Sequence, residues 1–175
     1  VSQWSNGHYP NARSSTNSGP VSHQDQIKVI QANGLPLRSD DHNHTVSASK
    51  KARAGFIART GDVDVVTIGH CPAGASIRVD TATMANLDTT LSLLNTGGSP
   101  VTNSAGSATG SVVTGNSGTA FPSWARMPSN MGTTITTTSA GVFYLRISGE
   151  GSVANNYPTY GSLGKWLVSS PCDSN

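Results

Sequence analysis

Within Val142-Phe143-Tyr144-Leu145-Arg146-Ile147-Ser148, three large apolar side chains alternate with Tyr144 and Arg146, a two-residue period that no helix shares. A pleated strand sends Phe143, Leu145 and Ile147 inward and Tyr144 and Arg146 to the opposite face. Leu91 and Leu93, with Leu87 nearby, form a second inward row. Other short apolar runs, separated by Gly, Asn or Pro clusters, predict strands at Ala54 to Arg59, Asp64 to Gly69, Ser76 to Thr81, Thr89 to Asn95, Gly110 to Thr114, Thr133 to Thr138, Val142 to Ser148 and Gly164 to Ser169. About eight short strands suit two packed sheets, so the expected fold is all-β, an antiparallel sandwich of jelly-roll type.

Composition agrees with this. The chain's 175 residues include 25 Ser and 19 Thr but one Glu (Glu150) and four Lys, so residues that favour exposed helices are scarce. That length fits one domain, or one domain with an arm. Val1 to His23 is rich in Ser, Asn, Gly and Pro, a composition that punctuates rather than periodically buries. Gln24 to Ala32, with Ile27, Val29 and Ile30, is either a short alternation or a single helical turn, and Asn33-Gly34-Leu35-Pro36 ends it. Residues 1–31 therefore read as an extended N-terminal arm or linker and 32–175 as the sandwich.

The net charge of +2 is scattered, with no basic run longer than Lys50-Lys51, so a nucleic-acid partner is not expected. The longest apolar stretches fall well short of the roughly 18 residues of a membrane-spanning helix. No basic and apolar leader stands at the N-terminus, which predicts a processed chain or a piece of a longer one. Cys71 and Cys172 stand 101 residues apart and suggest one disulfide, which would tie the tail to the turn at His70-Cys71-Pro72. A closure of that length is worth at most about 4 to 5 kcal/mol. Two unpaired buried thiols are the other reading.

Gly55-Phe56-Ile57, Thr60-Gly61-Asp62-Val63-Asp64-Val65, Asn86-Leu87-Asp88 with Leu91-Ser92-Leu93, Ala140-Gly141-Val142-Phe143-Tyr144-Leu145-Arg146-Ile147, and Tyr160-Gly161-Ser162-Leu163-Gly164-Lys165-Trp166 span about 120 residues. Together these segments resemble the bacterial pre-peptidase C-terminal domain. Upstream, Val1-Ser2-Gln3-Trp4-Ser5-Asn6-Gly7-His8-Tyr9 and Leu37-Arg38-Ser39-Asp40-Asp41-His42 are similar to the junction between such a domain and a secreted zinc metallopeptidase domain. The resemblance implies a β-sandwich carried by secreted proteases, some members of which bind calcium and insoluble substrates such as collagen. Two departures stand out: Val65-Val66 occupies a place where relatives often carry aromatics, and the acidic cluster after the Trp-Ser segment is reduced to Asp25.

Carboxylates gather at Asp40-Asp41-His42-Asn43 and at Asp62-Val63-Asp64. Asp40, Asp41, Asn43, Asp62 and Asp64 are the candidate ligands of a calcium ion, completed by carbonyls or water, since calcium takes six to eight oxygens. The alternative is that Asp62 belongs to a turn and Asp64 bonds loop amides. Asn43-His44-Thr45 is a glycosylation sequon in the same turn, so the chain is a candidate glycoprotein if its source is eukaryotic, and Thr133 to Thr138 is a candidate for O-glycans. Thr96 to Pro128 reads as a long loop whose Phe121 and Trp124 form either an apolar clasp or an anchor for a partner.

No catalytic residues are expected. The chain contains no HExxH, and its five His include none beside the single Glu. It also lacks GxSxG. Two functions follow, both non-catalytic and extracellular. In the first, Trp4, Tyr9, Ile27, Val29 and Ile30 of the arm dock on a neighbouring copy's sheet edge, giving a surface or filament subunit or an adhesion module. In the second, the domain is an accessory module of a secreted metalloprotease, with calcium as a stabilising ion, and its partner is an extracellular protein or polysaccharide.

Overall fold

The structure is a computed structural model that describes residues 24–82, 87, 89–101, 133–149 and 162–172, together with the short pairs 6–7, 12–13 and 20–21. Two four-stranded sheets pack into a β-sandwich. One is ordered β10 (Thr133–Thr136), β8 (Ser76–Thr81), β12 (Gly164–Ser169), β6 (Ala54–Ile57), all antiparallel. The other is ordered β5 (Lys50–Lys51), β7 (Val63–Cys71), β11 (Gly141–Gly149), β9 (Thr89–Leu94). In it β5 runs parallel to β7 and the remaining pairs are antiparallel.

The inward rows of β11 and β9 are those the alternation predicts: Phe143, Leu145 and Ile147 lie beside Leu91 and Leu93 in one sheet and share a core cluster with Leu87, with Ile77 and Val79 of β8, and with Trp166 and Val168 of β12. Seven predicted strands are present and Gly110 to Thr114 lies outside the described residues; β5 completes the eight. A two-residue Lys-Lys strand carries no alternation, so only its pairing with Val66 and Thr67 reveals it. Strand ends move for local reasons. β6 stops at Ile57 because the next amide, Ala58 N–H, donates to the Asp62 carboxylate. β10 stops at Thr136 because Thr137 turns its N–H to Ala75 O and its hydroxyl to Pro72 O. β7 continues to Cys71 through a bulge: Phe143 pairs with Gly69 and Tyr144 with Thr67, leaving Ile68 unopposed. The extra residue shifts the phase, so Asp64, Val66 and Ile68 are buried before it and Cys71 after it.

Cys71 and Cys172 form a disulfide, S–S 2.04 Å. It joins the end of β7 in one sheet to the residues after β12 in the other.

In the leader, β1 (Asn6–Gly7) pairs with β4 (Gln24–Asp25) and β2 (Ala12–Arg13) with β3 (Pro20–Val21), all antiparallel. None of these four joins either sandwich sheet. The stretch that periodicity left open is helix α1 (Gln26–Ala32). It ends where expected: Gly34 takes φ +87°, Leu35 N–H reaches Ile30 O, and Gly34 N–H reaches Gln31 O, the double bond of a Schellman cap.

Candidate metal centre

The approach to the sandwich, residues 40–43, is fastened to both sheets. Asp41 Oδ1 accepts the Phe56 N–H of β6 (3.2 Å), His42 Nε2 lies 3.1 Å from Ala54 O, and Asn43 O accepts the Val65 N–H of β7 (2.8 Å). Asp40 Oδ1 accepts the N–H of His42, a short Asx-type bond that turns its side chain back toward the sandwich. Its other oxygen lies 3.6 Å from Arg59, whose side chain is 61% exposed, so the pairing is weak.

Between β6 and β7 the chain reverses over Arg59 to Asp62. Asp62 N–H closes the turn on Arg59 O, and Gly61 at its third position takes φ +81°, which an L side chain would resist. Asp62 is buried and accepts Ala58 N–H on Oδ2 at 2.6 Å. Two residues on, Asp64 is on the inward face of β7. Its Oδ2 accepts the indole N–H of Trp166 from the opposite sheet at 2.6 Å, and its Oδ1 is buried without a partner. Burial first, then the neighbouring Asp62 and Asp41 charges, push the Asp64 carboxyl up to about 7, against the opposing pull of the Trp166 hydrogen bond and of His42.

Asp40, Asp62 and Asp64 come together here, each offering an oxygen, all within 4.8 Å of one another. Two are buried, and one buried oxygen has no hydrogen-bond donor. An all-carboxylate donor set is the chemistry of hard cations, calcium above all. Such an ion would satisfy Asp64 Oδ1 and relieve the mutual repulsion of the group, so these residues fit calcium. Two other predicted ligands are engaged differently: Asp41 holds Phe56 N–H, and Asn43 donates its side-chain N–H to Ala48 O (3.2 Å). Asn43, the sequon residue, is exposed. Of the predicted partner-binding residues, Val29 and Ile30 are half-buried on α1, while Trp4, Tyr9, Phe121, Trp124 and the side chain of Ile27 lie outside the described residues.

Sequence reasoning had His42 within the acidic segment but missed Trp166 as a neighbour of the acidic group. The His42 ring lies 5.3 Å from that of Trp166, and both rings cover Gly55. The available signal was parity: Trp166 and Val168 share one face of β12, and Asp64 and Val66 share one face of β7.

Comparison with known proteins finds no matching family model, no matching curated protein and no matching solved structure.

Proposed function

We propose that this chain is a non-catalytic extracellular binding module, of the pre-peptidase C-terminal type its sequence resembles, acting as the accessory substrate-binding domain of a secreted peptidase. Calcium at Asp40, Asp62 and Asp64 clamps the incoming chain to the sandwich. The observation that carries this reading is the junction itself. A carboxylate from the approach meets two from the β6–β7 turn and β7, and one buried oxygen is left for an ion. The disulfide supports an oxidising, extracellular setting. The ion's chemistry here is structural: its charge balances carboxylates that otherwise repel, and its binding to the folded state alone raises stability.

Melting curves in chelator and in millimolar calcium test the clamp. Calcium should raise the melting temperature of the wild type and leave Asp62→Asn/Asp64→Asn unmoved; equal curves for the wild type with and without calcium would remove the clamp. Co-sedimentation with insoluble fibres, proteinaceous and polysaccharide, tests the binding role.

A second reading is self-assembly, in which the leader docks on another copy. It draws on the sheet edge β10, hydrogen-bonded to one neighbouring strand among the described residues. Size-exclusion chromatography with and without residues 1–31 decides it: assembly that disappears with the leader favours this reading, and a monomer in both removes it.

A further inference from the structure

On the outer face of the β5–β7–β11–β9 sheet, away from the acidic group, lies a groove of about 690 Å³. Thr67 and Tyr144, directly paired across β7 and β11, are part of its lining, and both are half-buried. One wall is the 3-10 turn Val46–Ala48 and the other is the turn after β9, through Thr96, Gly97 and Gly98. Both walls are held by hydrogen bonds. Ser49 N–H and Oγ both reach Val46 O, and Ser49 Oγ lies 3.0 Å from Thr67 Oγ1, fixing the first turn to the floor. Asn95 Oδ1 accepts the N–H groups of Gly97 and Ser99, fixing the second.

We propose that this groove binds a neutral oligosaccharide. It rests on the reading of the chain as an accessory substrate-binding module and names the ligand class and the place. The volume is in the range of small-molecule sites, roughly 300 to 1,000 Å³. Five hydroxyl side chains, Thr45, Ser47, Ser49, Thr67 and Thr96, line it beside His44, Val46 and Leu94; Ser49 gives its proton to Val46 O and meets Thr67, and the lone pairs and protons that remain on the five suit the hydroxyls of a sugar. Tyr144 adds an aromatic ring with a polar tip, suited to a pyranose, whose C–H face stacks while its rim hydrogen-bonds. Among the described residues no Asp, Glu, Lys or Arg lines the groove, and His44 adds an imidazole that can hydrogen-bond a sugar hydroxyl.

An extended peptide fits less well. Strand addition requires an open edge, and β9 is already covered on that side by its own chain: Val101 N–H bonds Leu93 O, and Leu94 bridges to Pro100.

The test is isothermal titration of the intact 175-residue chain with cellohexaose, xylohexaose and chitohexaose, alongside a sulfated oligosaccharide and a collagen-like peptide. Saturable binding of at least one neutral hexasaccharide is expected, weakened about tenfold or more in Tyr144→Ala and measurably in Ser47→Ala. Both changes are at the surface of the groove, and circular dichroism confirms that the variants fold. No binding of any neutral hexasaccharide overturns the proposal, and so does binding that Tyr144→Ala leaves unchanged or tight binding of the peptide alone at Tyr144. These outcomes leave the accessory role separately decidable, because fibre co-sedimentation that survives Tyr144→Ala keeps that role and relocates its surface.

Discussion

Asp64 is the residue whose environment differs most from its ordinary one. It is a carboxyl with no solvent exposure, one donor from Trp166 and a second oxygen with none. Burial is the first cause that raises its folded-state value to about 7. Between about pH 4 and pH 7, then, the cation-free folded protein holds a proton that the unfolded chain has released. The resulting stabilisation is fully present below about pH 4 and is lost as pH rises through about 7, at most about 4 kcal/mol across the window. Urea unfolding in chelator should accordingly give a lower stability at pH 8 than at pH 5. Asp64→Asn cannot titrate but still accepts the indole N–H, so this variant should lose most of that difference. Calcium should offset the decline in the wild type, because the charged form is the one that ligates. A wild-type stability that rises from pH 5 to pH 8 in chelator would contradict the assignment of this carboxyl.

At the scale of elements, β6 and β12 show what single-strand reading can and cannot reach. Short apolar runs located both strands, and alternation gave the inward faces of β9 and β11, because each of those faces meets the core and each strand reports its own period. It could not locate β5, whose two lysines have no period, nor settle α1, whose single turn looks the same as an alternation. The acidic group was half legible for a related reason. Asp62 and Asp64 are close in sequence, and Asp40 was already a candidate, but separating Asp40 from Asp41 and Asn43 depends on which backbone amides the junction meets after it lies along β6. Gly55 makes the same point. It pairs with Trp166 across β6 and β12, and a Cβ there would run into the Trp166 ring and the His42 ring at once. Gly55→Ala should therefore displace the indole from Asp64 and cost about 1 to 3 kcal/mol, measured by urea denaturation with tryptophan fluorescence. The substitution should also weaken any calcium response, since the same two rings flank the acidic group.

For the whole molecule, the two sheets are held by more than apolar contact. β7 and β12 face each other across the sandwich and are joined at two places: Asp64 to Trp166 near their starts and Cys71 to Cys172 at or beyond their ends. Seven residues of strand separate the two points on β7, roughly 20 Å. The ties act on different states. The hydrogen bond belongs to the folded protein, whereas the disulfide closes a loop of sequence separation 101 and acts largely by restricting the unfolded chain. Replacing both cysteines by alanine should cost about 2 to 5 kcal/mol and lower the melting temperature, as should reductant. Because the points lie far apart along β7, that loss and the loss from Trp166→Phe, which takes the donor from Asp64, should add to within about 0.5 kcal/mol. Unfolding free energies of the wild type, the two variants and their combination, measured at one pH in chelator, complete the cycle. Additive losses mean that the ends of the sandwich are secured independently. A coupling much larger than that would mean that loosening the disulfide end repacks β7 along its length, and the acidic group could then not stay assembled when the bridge is reduced.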